Sequence, residues 1–347
     1  MSAHSDPPLA ESPYRVGPIS RGSAFAWSAL AVVGFIATTL LIRLALPPMN
    51  PEGVGVKLRY FAQHKDDFDT LIVGTSRLNY SIDPAAFDTI MRSAGRPMRT
   101  FNFGMHGMHP PENFYVLDEI LNTHPRNLKW VVIELEDIVP TADLENVDTR
   151  RLRYWHDWRQ TKTVLRKLLN PRGRSGTIGK LFNLVRSWRS VTLHVGLFAK
   201  ELVSLGRGAD VISGAAADEA KLYAVELGTN NDGYRPPREP MPAADAQKYE
   251  ARLARECGSA DTNEMDPYAE ADYREAAARI RSIGAQPVFV VTPVLSQTVR
   301  GFRGSPPGAV LSFNDCRRYP QLYTSRVRVD EGHLSKEGAE EFTRLLA

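Results

Sequence analysis

The chain has 347 residues, 24% of them charged and 43% apolar, with a formal charge of +3. That length holds one large domain or two modest ones around a packed core, and the composition excludes a disordered chain or one that binds nucleic acid through its overall charge. Two cysteines, Cys257 and Cys316, stand far apart without a CxxC or metal-like spacing; they give no disulfide framework or zinc cluster and read as two plain thiols.

Residues 1–23 are rich in Pro, Ser, Ala and Gly, show no apolar periodicity and are expected to be a disordered tail. Residues 24–45 are expected to form a transmembrane anchor. Within them Ala24–Ile42 carries no charge over 19 residues, enough for a helix to cross a hydrocarbon core of roughly 30 Å. The run is too long for the apolar core of a cleaved signal peptide and leads into Arg43 and LALPPMNP, which favours an uncleaved anchor. Arg15 and Arg21 precede the span while Arg43, Lys57 and Arg59 follow it, so the count of positive charges does not decide its orientation. A short tail before a large domain favours a domain outside the cytoplasm.

After a polar linker over residues 46–66, alternating units begin. Thr70–Gly74 reads as a strand, Pro84–Arg92 as a helix opened by Asp83-Pro84, and Arg99–Phe103 as a second strand ending at Gly104. Pro110–Asn122 reads as a helix with Phe114, Leu117, Ile120 and Leu121 on its apolar face, and Trp130–Leu135 as a strand apolar enough to be covered on both sides. This order argues for right-handed βαβ units.

The rhythm then breaks, and residues from about 140 to 265 are expected to form a mostly helical insertion. Residues 148–207 hold 14 Lys and Arg against 3 acids, so the rest of the chain is net −8. Helical spacing appears in Trp155, Trp158, Leu165, Leu168 and Leu169 and again in Leu181, Leu184, Val185 and Trp188. A basic amphipathic helix carrying Trp suits a membrane surface or an anionic polymer; a helical cap with a solvated basic face has the same pattern. No nucleic-acid-binding motif is present. Gly228–Met241 reads as loop. The α/β pattern resumes with a helix over Pro267–Ile283, a fourth strand over Gln286–Thr292, a fifth over Leu322–Val329, and a final helix capped by Ser335.

On this scaffold the polar residues gather at strand ends: Ser76 after the first, Gly104 after the second, Glu136 and Asp137 after the third, Thr292 after the fourth, Asp330 and His333 after the fifth. In an open parallel sheet these ends share one crevice. Ser76 is a candidate nucleophile, His333 the base that takes its proton, and Asp330 the group that holds the other ring nitrogen. The backbone amides of Ser76 and Gly104 are candidate oxyanion donors. Arg77 can hold an anionic substrate or pair with Glu134 or Glu136, and the ion pair is favoured; Asn79 and Asn102 are candidate substrate or oxyanion contacts. His106 and His109 with Glu112 resemble a metal-ligand run, but no HExxH or second cluster supports one, so the stretch reads as a loop at the crevice edge. No cofactor or metal is expected.

A Gly-x-Ser after strand one, a glycine after strand two and an Asp-x-x-His before the last helix resemble the SGNH/GDSL hydrolase superfamily, and the anchored layout is similar to its DltD-type branch. The likeness covers Thr70–Asp137 and Pro267–Ala347 and leaves out the basic insertion. It implies an α/β, three-layer, flavodoxin-like sandwich around a parallel five-stranded sheet. It also implies an extracytoplasmic, periplasmic enzyme of the cytoplasmic membrane that transfers or hydrolyses O-acyl groups of a cell-surface polysaccharide through an acyl-serine, with a membrane-bound O-acyltransferase as partner. The chain departs from the pattern in two places. GTSR stands where the family has GDSL, and ELEDIVP ends strand three where the family has an asparagine oxyanion donor. A non-catalytic binding or assembly subunit on the same fold is the second expectation.

Overall fold

A computed structural model of the chain describes residues 21–45, 52–136, 150–169, 177–203, 219–237, 239–257, 265–295 and 301–347. Of the tail expected over residues 1–23, residues 1–20 lie outside them, as do Asp137 and much of the insertion's connecting chain, while residues 21–23 belong to a helix.

In chain order the elements are α1 (Arg21–Ala45), α2 (Glu52–His64), β1 (Thr70–Val73), α3 (Ser76–Ser81), α4 (Pro84–Ser93), β2 (Thr100–Asn102), α5 (Glu112–Asn122), β3 (Trp130–Glu134), α6 (Arg150–Tyr154), α7 (Trp158–Leu169), α8 (Thr177–Leu202), α9 (Glu219–Leu227), α10 (Ala243–Glu256), α11 (Pro267–Ser282), β4 (Gln286–Val291), β5 (Ala309–Ser312) and α12 (Lys336–Leu346). The five strands form one wholly parallel sheet in the order β2-β1-β3-β4-β5. Because side chains alternate along a strand, Leu71, Val73, Val131, Ile133, Phe289 and Val291 enter one hydrophobic cluster while Ile72, Val132 and Val290 enter another, so both faces of the sheet are covered. That burial is why the strands read as continuous apolar runs.

Local signals set the helix ends. Asp83 caps α4 by accepting hydrogen bonds from the amides of Ala85 and Ala86, and Ser335 caps α12. Most of the described part of the insertion is helical, from α6 to α10. Within α1, Gly22–Leu41 is long and apolar enough to cross a membrane, and none of it is buried.

Three expectations are corrected. The fifth strand is Ala309–Ser312, not Leu322–Val329, which instead makes two 3-10 turns, Pro320–Leu322 and Ser325–Val327. The apolar residues Leu322, Tyr323 and Val327 are buried there, whereas β5 is a largely exposed edge strand whose apolar run is only Ala309–Leu311, too short to announce it. The stretch read as a linker contains α2, whose Val54, Leu58 and Phe61 lie at helical spacing and are buried in the core. Gly53 and Gly55 hid that pattern. Finally, Cys257 and Cys316 are joined in a disulfide with a Cα–Cα distance of 5.8 Å. Cys257 ends α10 and Cys316 follows β5, a proximity that sequence separation does not report.

Candidate active site

The site starts from β1. Its last residue, Val73, pairs with Ile133, which brings Glu134 alongside Gly74. A Cβ on Gly74 would stand 2.7 Å from Glu134 Oε2, so only glycine fits between that carboxylate and α3. The chain then turns into α3 with Thr75 as its cap: the Thr75 amide donates to Glu134 Oε2 at 2.6 Å, and the Arg77 amide donates to Thr75 Oγ1 at 3.2 Å. Ser76 is the first residue of α3. Helix α12 holds α3 from behind, since the Thr343 hydroxyl donates to the Ser81 carbonyl at 3.1 Å.

Ser76 Oγ lies 2.8 Å from His333 Nε2, and His333 Nδ1 lies 2.8 and 2.9 Å from the two carboxylate oxygens of Asp330. With the ring proton on Nδ1, His333 donates to Asp330 and accepts from the serine hydroxyl. Asp330 Oδ1 also accepts from the amides of Gly332 (2.7 Å) and His333 (2.9 Å). Burial pushes the Asp330 carboxyl up, but the His333 hydrogen bond and these amides outweigh it and hold the group below its ordinary value. The three residues that the sequence singled out across more than 250 positions are thus in one hydrogen-bonded line.

The loop that carries Asp330 and His333 rests on Arg328, which is fully buried. Its guanidinium donates to the carbonyls of Leu322 (3.1 Å), Glu331 (3.2 Å) and Pro293 and lies 4.9 Å from the Tyr323 ring centre. Val329 N–H donates to the His333 carbonyl at 3.0 Å and closes the loop.

The other sequence candidates have structural partners. Asn102 is fully buried: its Nδ2 donates to the Leu78 and Ile82 carbonyls at 2.9 and 2.8 Å, and its Oδ1 accepts from the Gly104 amide at 2.8 Å. The side chain of Asn102 therefore does not face a ligand, and the Gly104 N–H named as an oxyanion donor is already engaged. Gly104 is needed for close packing instead, because a Cβ there would lie 2.6 Å from the backbone nitrogen of Asn79. Asn79 is buried and donates to the Gly233 carbonyl at 3.0 Å. Among the described residues, the Ser76 N–H at the helix start has no acceptor and remains available for a developing oxyanion.

Arg77 takes the ion-pair role favoured from sequence, 2.5 Å from Glu136 Oε1 and 3.4 Å from Glu134 Oε1. Glu136 in turn accepts from His109 Nδ1 at 2.9 Å. Burial raises the Glu134 carboxyl, and the neighbouring Glu136 charge adds to that shift. Glu136 goes the other way: against the pull of burial, His109 and Arg77 hold it low. The hydrogen bond to Glu136 raises the His109 imidazole, overcoming its own desolvation. The suspected metal-ligand run is divided, since Glu112 is bonded to Arg151 Nε at 3.0 Å and the Tyr154 hydroxyl at 2.8 Å.

Sequence reasoning missed Lys57. This fully buried ammonium donates to the carbonyls of Asn102 (3.1 Å), Gly104 (2.8 Å) and Gly233 (2.7 Å), which takes all three of its hydrogens. Burial pushes it down to about 7, against the pull of Glu226 and Asp232. It ties α2 and the insertion to the loop after β2. The loop Asp232–Arg235 joins there too: the Asn102 amide donates to the Asp232 carbonyl at 2.7 Å, and Arg235 lies 5.8 Å from the Tyr80 ring, itself 5.7 Å from the His333 ring. A lysine in a stretch whose helical pattern is hidden by Gly53 and Gly55 gives no sequence signal for such a role.

The chain matches no protein-family model, and no curated protein matches it in sequence.

Proposed function

We propose that the chain is a membrane-anchored serine acyltransferase or esterase with an SGNH-type three-layer sandwich, acting on O-acyl groups of a cell-surface polysaccharide. The observation that carries this reading is the unbroken line Ser76–His333–Asp330. In the first half-reaction Ser76 Oγ attacks the acyl carbon while His333 Nε2 takes its proton, the Ser76 amide meets the oxyanion, and the leaving alcohol recovers the proton from His333. In the second half-reaction His333 deprotonates the acceptor, a polymer hydroxyl for transfer or water for hydrolysis, which attacks the acyl-serine and frees Ser76. Both fates share the first step. Transfer would be completed with a membrane-bound O-acyltransferase that supplies the acyl group.

The anchor helix supports attachment to the cytoplasmic membrane, and the disulfide supports an extracytoplasmic domain, since such bonds persist in oxidising compartments. The purified chain should turn over a chromogenic acetyl ester, and Ser76→Ala should abolish this. Full turnover in that variant overturns the serine mechanism.

One observation favours the second reading, a non-catalytic assembly subunit: the Gly104 amide is held by Asn102, leaving the oxyanion donor set thin. On that reading Ser76→Ala and His333→Ala keep cell-surface acylation intact, while deletion of residues 148–207 abolishes it.

A further inference from the structure

The insertion turns one side of α7 and α8 toward the protein and leaves the other open. Gln160, Thr161, Val164 and Leu168 of α7 and His194 and Leu197 of α8 are buried. On the outer side Trp188, Val195 and Leu202 are 65%, 46% and 51% exposed, and their spacing of seven sets them on one stripe of the helix. Trp158 of α7 is 64% exposed and its ring lies 6.0 Å from that of Phe198, which sits between Val195 and Leu202 on the same helix. The apolar groups of the two helices therefore adjoin.

Cations flank this surface. Lys162 and Arg166 follow Trp158 at steps of four along α7, Arg189 stands next to Trp188, and all three are exposed. Helix α7 has no acid, and the one acid of α8, Glu201, faces Arg153 at 3.9 Å. Two open tryptophans beside aliphatic residues and a fringe of Lys and Arg suit a headgroup boundary, where indole rings sit among the acyl carbonyls and the cations reach phosphates. Helix α2, packed in the core of the α/β domain, is joined to α1 by residues 46–51, which span at most about 20 Å when extended. A bilayer crossed by α1 is thus always within reach of the domain.

We propose that Trp158, Trp188, Val195 and Leu202, flanked by Lys162, Arg166 and Arg189, dock on the anionic headgroup surface of the bilayer that α1 spans. The inference rests on α1 being a membrane anchor and is independent of the serine chemistry. Docking would fix the height and tilt of the domain over the membrane, so that its crevice meets substrate at one level.

The test places a nitroxide at Val195→Cys in the full chain, reconstituted into vesicles of phosphatidylglycerol and phosphatidylcholine; the native cysteines, being paired, do not take the label. Labels at Val33→Cys in α1 and at the exposed Ala94→Cys serve as lipid and water references. The expected result is an inverted collision ratio at residue 195, oxygen exceeding a nickel chelate as at residue 33. Lys162→Glu with Arg189→Glu, or pure phosphatidylcholine vesicles, should shift it back toward the value at residue 94. A water-like ratio at 195 in anionic vesicles overturns the proposal. So does low collision with both reagents, which marks a face covered by protein, whether this chain, a second copy or another partner. A water-like ratio at residue 33 overturns the anchor and the docking together, whatever turnover the protein shows.

Discussion

Opening the Cys257–Cys316 bridge by replacing both residues with serine tests how the insertion is fastened to the α/β domain. The bridge closes a sequence separation of 59; the loop entropy this withholds from the unfolded chain corresponds to about 4 kcal/mol at 25 °C. For a chain of this length, that lowers the melting temperature by roughly 6 °C. The loss should reach the site as well, because α10 carries Tyr249, whose ring lies 5.7 Å from the Arg328 guanidinium beneath the Asp330–His333 loop. Urea unfolding of the detergent-solubilised chain, followed by tryptophan fluorescence, measures the difference, and a thiol titration in denaturant before any reductant counts free cysteines. Two titratable thiols in the unreduced wild type, or a double variant as stable as the wild type, would refute the reasoning.

Asp330→Asn presents an amide where His333 Nδ1–H needs an acceptor and favours the wrong tautomer, so turnover should fall by about 10²–10⁴-fold at nearly unchanged stability; an unaffected kcat contradicts the role. Gly104→Ala forces a Cβ to within 2.6 Å of the Asn79 nitrogen and should cost about 1–3 kcal/mol in urea unfolding, where a neutral result would show that the loop has slack. The Glu136 hydrogen bond raises His109 above its unfolded value. Its stabilisation is therefore fully present below about pH 6.5 and lost as pH rises through the higher folded value. The stability advantage of the wild type over His109→Gln should shrink across that window, and parallel pH curves would remove His109 from the account.

The strands that are buried on both faces were legible because burial demands continuous apolar runs: β1, β3 and β4 begin where the sequence predicts, and Asp83 and Ser335 cap the helices expected of them. Edge strand β5 lacked that demand and went unseen. Ser76 was legible from its place after β1, and Asp330 and His333 from their Asp-x-x-His spacing just before α12, although the strand expected in front of them is a pair of 3-10 turns. Nothing local marks Lys57 or Arg328, whose roles come from backbone carbonyls brought near only by the folded chain. Asn102 shows the converse. Its residue type suggested a ligand contact, but its position at the end of a fully buried strand turns its side chain toward the Leu78 and Ile82 carbonyls and the Gly104 amide.

The central claim is that Ser76 is a nucleophile activated by His333. Incubating the full chain with a fluorophosphonate and mapping the adduct by mass spectrometry tests it without knowledge of the acyl group, the polymer or a partner. The account predicts a single phosphonylated residue, Ser76, labelled far more slowly in His333→Ala. A folded protein that stays unmodified at Ser76, or reacts as fast without His333, would contradict it.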